Sequence, residues 1–110
     1  MFDFEEKVIQ KSLLHPVIVE FSSPGCGPCL WMEKIIVEVV KEITETIHFV
    51  SLPISDCSEC IEKYKIKSNP TTILFSNGKP KAELRGALPK IVVIQWIQDH
   101  IETVNKKVTK

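Results

Sequence analysis

The four cysteines of this 110-residue chain fall as two pairs, Cys26-Gly27-Pro28-Cys29 and Cys57-Ser58-Glu59-Cys60. Thiols so spaced can close a small ring, exchange with a partner's disulfide, or supply half of a tetrahedral zinc site. A chain of this length, 44% hydrophobic and rich in Val, Ile and Leu, builds a core without covalent staples. Paired thiols in a reducing compartment therefore point to redox or metal chemistry.

Local context separates these options for the first pair. Pro16 is followed by Val17-Ile18-Val19-Glu20-Phe21, a β-branched run that suits a strand buried on both faces. A helix is predicted from near Cys26, with Met32, Ile36, Val39, Val40 and Ile43 on its inward stripe and Glu33, Lys34, Glu38, Lys41 and Glu42 mostly on the solvated side. Cys26 then sits where unpaired N–H groups and the macrodipole favour a thiolate, the attacking species in disulfide exchange. Cys29 lies one turn onward and faces the protein. Gly27 lets a partner's backbone approach, and Pro28 lacks an N–H that the first turn leaves unused. The strand-to-helix setting favours redox activity over buried packing or half a zinc site.

The remaining elements follow from pattern. Asp3 and Glu6 frame a capping box for a short helix that ends before Pro16, with Phe4, Val8 and Lys11 on one face. Residues 47–52 read as a second strand, and Asp56 with Glu59 as a box opening a helix through Tyr64. Asn77-Gly78 joins Thr71–Phe75 to Lys81–Arg85 as a hairpin. Pro89 starts a closing helix with Ile91, Ile94, Ile97, Ile101 and Val104 as its buried stripe. The order is strand, helix, strand, helix, strand, strand, helix: an α/β domain over residues 1–110, a parallel βαβ unit followed by an antiparallel hairpin, with helices on both faces.

The strand Val17–Phe21, the Cys-Gly-Pro-Cys tetrad, Asn69-Pro70-Thr71, Asn77-Gly78 and Arg85-Gly86-Ala87 together resemble the thioredoxin family in motif, order and spacing, over nearly the whole chain. The resemblance implies a thioredoxin fold with a central mixed sheet of four strands, at most with a vestigial fifth. It implies that Cys26 attacks a protein disulfide, that Cys29 resolves the mixed disulfide, and that the Gly-Pro spacer favours reduction. It also implies a cis bond before Pro70, beside the cysteines, where backbone at Asn69 and Pro70 pairs with an extended substrate segment. Glu20 stands where the family carries a buried Asp beneath the inner cysteine. There it could exchange a proton with Cys29; the alternative is a Glu whose end reaches solvent or a Lys.

Some features depart from the family. Gly25 and Ser22 stand where tryptophans are usual, so the apolar docking rim is thinner; Trp31 either restores part of it or packs on its own helix. Cys57 and Cys60 lie outside the usual site, and three readings stay open: an auxiliary redox or regulatory dithiol, an inert pair, or zinc held by all four cysteines. The acidic Asp56 and Glu59 oppose a thiolate at Cys57.

Charge and composition exclude several other classes. Fourteen basic residues balance fourteen acidic ones, and Lys106, Lys107 and Lys110 form too small a cluster to bind nucleic acid. No apolar run approaches the ~20 residues of a membrane span. The acidic start, unlike a basic secretory signal, points to a cytoplasmic chain. His15, His48 and His100 are scattered without ligand spacing, and no glycine-rich phosphate cradle appears. The expectation is a monomeric thiol-disulfide oxidoreductase with no cofactor or resident metal. It acts on disulfide-containing proteins and is recharged by a separate reductase of the thioredoxin-reductase type. The competing reading is a non-catalytic zinc-binding or protein-interaction module on the same fold.

Overall fold

The computed structural model describes the backbone of residues 2–109 and side chains from Phe2 to Ile101. The side chains of Val104 and the terminal lysines lie outside the described residues.

Strands β1 (Val17–Ser22), β2 (His48–Pro53), β3 (Thr71–Ser76) and β4 (Lys79–Arg85) form one sheet in the order β2-β1-β3-β4. β1 runs parallel to β2 and antiparallel to β3, and β3 pairs antiparallel with β4. Alternation along β1 divides the interior in two. Ile18 packs with Met32, Ile36 and Val39 of α1 (Gly27–Glu42) and with Val93 and Ile97 of α3 (Lys90–Thr109). Val17, Val19 and Phe21 point the other way, to the second core with Val8, Cys57 and Cys60. Helix α2 (Ser58–Lys63) belongs to that face. Among the described residues no helix is long and apolar enough to cross a membrane.

Four elements differ in detail from their sequence patterns. Asp3 Oδ1 accepts from the Glu6 N–H at 3.1 Å as a cap should, but Glu5–Gln10 then winds as a π-helix and Lys11–Leu13 as a 3-10 turn. Phe4 fills the space beneath with rings of Phe21, Tyr64 and Phe75 at 5.6–6.3 Å; Lys11 stays exposed. Asp56 caps nothing: it lies in a 3-10 turn (Ile54–Asp56), and Cys57 takes the position before α2. The closing helix is rotated from its expected face, with Ile91 70% exposed while Val93, Trp96, Ile97 and Ile101 are buried. Finally, β4 begins at Lys79, and the register slips between Leu74 and Phe75 opposite Pro80. A proline without an N–H is tolerated there because β4 is an edge strand.

The hairpin turn is as expected, with Asn77 at φ 55° and Gly78 at φ 81°, both left-handed as a two-residue turn of this hand requires. It is tied to the N-terminal segment through Ser12, which is 3% exposed. The Ser12 hydroxyl donates to the Ile9 carbonyl at 2.6 Å and accepts from the Gly78 N–H at 2.9 Å, while the Ser12 carbonyl accepts from the Asn77 N–H at 2.9 Å. Replacing Ser12 with Ala strands a partly buried N–H at a cost of about 1–3 kcal/mol. Urea unfolding should show that loss, and an unchanged midpoint would remove this tie from the account.

Candidate active site

The loop after β1 delivers Cys26 to the N-cap of α1. Gly25 just before it has φ +72°, a backbone that side chains rarely adopt. The Cys29 N–H donates to Cys26 Sγ at 3.1 Å, and Pro28 occupies the first turn. Cys26 is half-buried, whereas Cys29 is 4% exposed. The two sulfurs are joined as a disulfide, the oxidised form of the pair. The pair is therefore asymmetric: Cys26 is partly open to solvent and Cys29 is not. Once the bond opens, the N–H and the sixteen-residue helix behind it stabilise negative charge on the outer sulfur.

Pairing of Phe21 with Thr71 puts the start of β3 at the end of the sheet from which the Cys26 loop leaves. The Asn69–Pro70 bond there is cis, as the resemblance implied; Pro70 is buried and Asn69 exposed. The Pro70 carbonyl accepts from the Gly86 N–H at 2.8 Å, and Gly86 has φ +82°. That bond gives the Arg85-Gly86-Ala87 segment a physical role, fixing the backbone beside Pro70. Thr71 Oγ1 donates to the Ser68 carbonyl at 2.7 Å on the other side.

Glu20 is wholly buried, and neither carboxylate oxygen has a hydrogen-bond partner among the described residues. Its alternation with Val19 and Phe21 places it on the face that α1 covers. Burial, reinforced by the charge of Glu33, pushes its pKa up to about 8. The alternative of a carboxylate reaching solvent or a Lys is thereby removed.

Glu33 itself escapes sequence reading. Its place among the charged residues of α1 suggests the solvated side, yet it is half-buried and lines a shallow pocket of about 240 Å³ with Ser22, Ser23, Cys26, Cys29 and Leu30. Its spacing of four from Cys29 was the available signal.

Cys57 and Cys60 form a second disulfide, 7% and 2% exposed, on the opposite face of the sheet from α1. The four sulfurs thus close two separate rings, and among the described residues no three His, Cys, Asp or Glu side chains converge as a metal site. The histidines are less scattered than the sequence suggests. His15 and His48 rings lie 5.4 Å apart, and burial, Lys11 and His15 lower the His48 pKa.

Comparison with known proteins agrees with this geometry. Residues 2–99 match the Thioredoxin family model. The chain is 36% identical over 98 residues to a thioredoxin of Rickettsia bellii, covering 89% of this chain and 91% of the relative. It is 35% identical over 101 residues to chloroplastic Thioredoxin Y of Oryza sativa, covering 92% of this chain but only 60% of that protein's length. The structure of Fasciola hepatica thioredoxin superposes with a TM-score of 0.74 at 26% identity, over 86% of this chain and 89% of the other.

Proposed function

Because this chain belongs to the thioredoxin family of thiol-disulfide oxidoreductases, we propose that it reduces protein disulfides through the Cys26-Gly27-Pro28-Cys29 dithiol. The observation that carries the reading is the asymmetry of the pair: a reachable sulfur at a helix N-cap accepting the N–H of its sealed partner. The Cys26 thiolate attacks one sulfur of the substrate disulfide, and the other leaves as a thiolate. Cys29 then loses its proton, attacks Cys26 Sγ and releases the second substrate thiolate, leaving the Cys26–Cys29 disulfide. Glu20 on the adjoining strand serves as the base for Cys29, and two electrons from a separate reductase restore the dithiol. Gly27, Pro28, Asn69 and Pro70 form the substrate edge, where main-chain pairing tolerates varied sequences.

Cys57 and Cys60 enter as an auxiliary pair that burial keeps out of turnover; a protein disulfide cannot reach either sulfur without local opening. We place the work in the cytoplasm, where glutathione keeps exchange centres supplied with thiol. The test is insulin reduction driven by dithiothreitol, which the wild type should accelerate; no acceleration would sink the reading.

Trp31 is 53% exposed and Leu30 64%, so about half or more of each side chain faces solvent. Side chains on a helix lean toward the preceding turn, which for Trp31 is the exposed Gly27-Pro28. That lean and exposure support the reading in which Trp31 replaces part of the missing apolar rim. Trp31→Ala should lower kcat/KM on insulin about fivefold, in keeping with the loss of a peripheral aromatic contact. A small aromatic disulfide, which makes little use of the rim, should lose less than twofold. Equal losses on both would assign Trp31 to helix structure instead.

A further inference from the structure

We infer that Glu33, which lines the pocket shared by Cys26 and Cys29, is a positioning residue of the redox centre: its negative charge keeps the thiols protonated to higher pH and makes the dithiol a stronger reductant. The inference rests on the proposed reductase reading and adds a control on its driving force.

Glu33 follows Cys29 by four residues and the N-cap Cys26 by seven, so the stripe of α1 that carries Cys29 and Glu33 leads back to Cys26. It is half-buried, so its charge is incompletely screened. Among the described residues it has no salt bridge: the ion pairs of α1 join Glu38 and Glu42 to Lys90, one and two turns farther along. The titratable groups around it are Cys29 of its own helix and the N-cap Cys26, which line the same pocket, and Glu20 of β1, which feels its charge; Lys34 beside it is exposed. The influence of Glu33 already registers on Glu20, whose proton it helps to retain.

The physical consequence is one-sided. A disulfide carries no charge, whereas the reduced pair carries a thiolate, so a fixed carboxylate nearby penalises only the reduced, ionised form. The helix N-terminus pulls the thiol pKa down, and Glu33 opposes it. Raising the free energy of the thiolate favours the disulfide, so electrons leave the dithiol more readily.

The test compares Glu33→Gln and Glu33→Lys in a Glu20→Gln background, so that ionisation of Glu20 cannot compensate. Thiolate absorbance and the equilibrium with glutathione are read together. Glu33→Gln should raise the Cys26 thiolate fraction at pH 7 about threefold and move the glutathione equilibrium at pH 8 about threefold toward the dithiol. Glu33→Lys should move both further in the same direction, an ordering that loss of packing would not produce. Superimposable titrations for all three proteins would overturn the inference. That outcome would leave the reductase reading intact, because it is judged separately by insulin reduction in the wild type.

Discussion

Cys26→Ser should abolish insulin reduction, a loss of roughly a thousandfold or more, because the nucleophile is removed and the remaining thiol is sealed. Cys29 is 4% exposed, and the turn carrying Cys26 lies between it and any protein substrate. Cys29→Ser should fail differently. Attack by Cys26 proceeds, but nothing resolves the product, so a covalent adduct with the substrate accumulates to one equivalent. Non-reducing mass spectrometry distinguishes the two: an adduct with Cys29→Ser and none with Cys26→Ser. The opposite assignment, with the adduct forming through Cys29, would reverse the roles drawn from the burial asymmetry. Cys57→Ser with Cys60→Ser is the control, since that pair is buried on the other face.

The parts of this site legible in the sequence are those fixed by short-range chemistry. A β-branched strand running into Cys-Gly-Pro-Cys and an amphipathic helix already puts one sulfur at a helix mouth, and Asn77-Gly78 already dictates its turn. Pro70 is different: an X-Pro bond is trans by default, so its cis geometry was legible through the family resemblance alone. Helix phase was the recurrent failure. The run Ile91-Val92-Val93-Ile94 offers apolar residues in every direction, and burial of Trp96 (8% exposed) with Val93 turns Ile91 outward. Glu33 was misplaced for the same reason, since the rotation of α1 against β1 decides whether a boundary carboxylate meets water or the cysteines. The π-helical winding after Asp3 accompanies a Phe4 seated among three rings, tertiary contacts with no local signature.

Glu20→Gln should stabilise the oxidised protein near neutral pH while slowing its chemistry, and both effects have one cause. In the unfolded chain this carboxyl titrates near its ordinary value of 4.5; in the fold it holds its proton up to about 8. Below the lower value both states are protonated and Glu20 adds no pH dependence. Between the two the native state binds the extra proton, so stability falls as pH rises, and above the upper value it levels off. At pH 7 the accumulated penalty is about 3 kcal/mol relative to mild acid. Melts of the wild type should therefore decline from pH 5 to pH 8, and those of Glu20→Gln should be flatter, with a gain of roughly 10 °C at pH 7. A flat wild-type profile would mean that Glu20 is ionised and partnered, contrary to its two oxygens, which have no partner among the described residues. The catalytic side follows from the same number. A base titrating near 8 is matched to a thiol, so resolution by Cys29 should quicken as pH rises through 7 and 8, and Glu20→Gln should lose that rise with about a hundredfold slower release. A buried carboxyl that costs the fold stability and has no hydrogen-bond partner among the described residues fits the proposed role, in which it takes a proton when Cys29 must give one up.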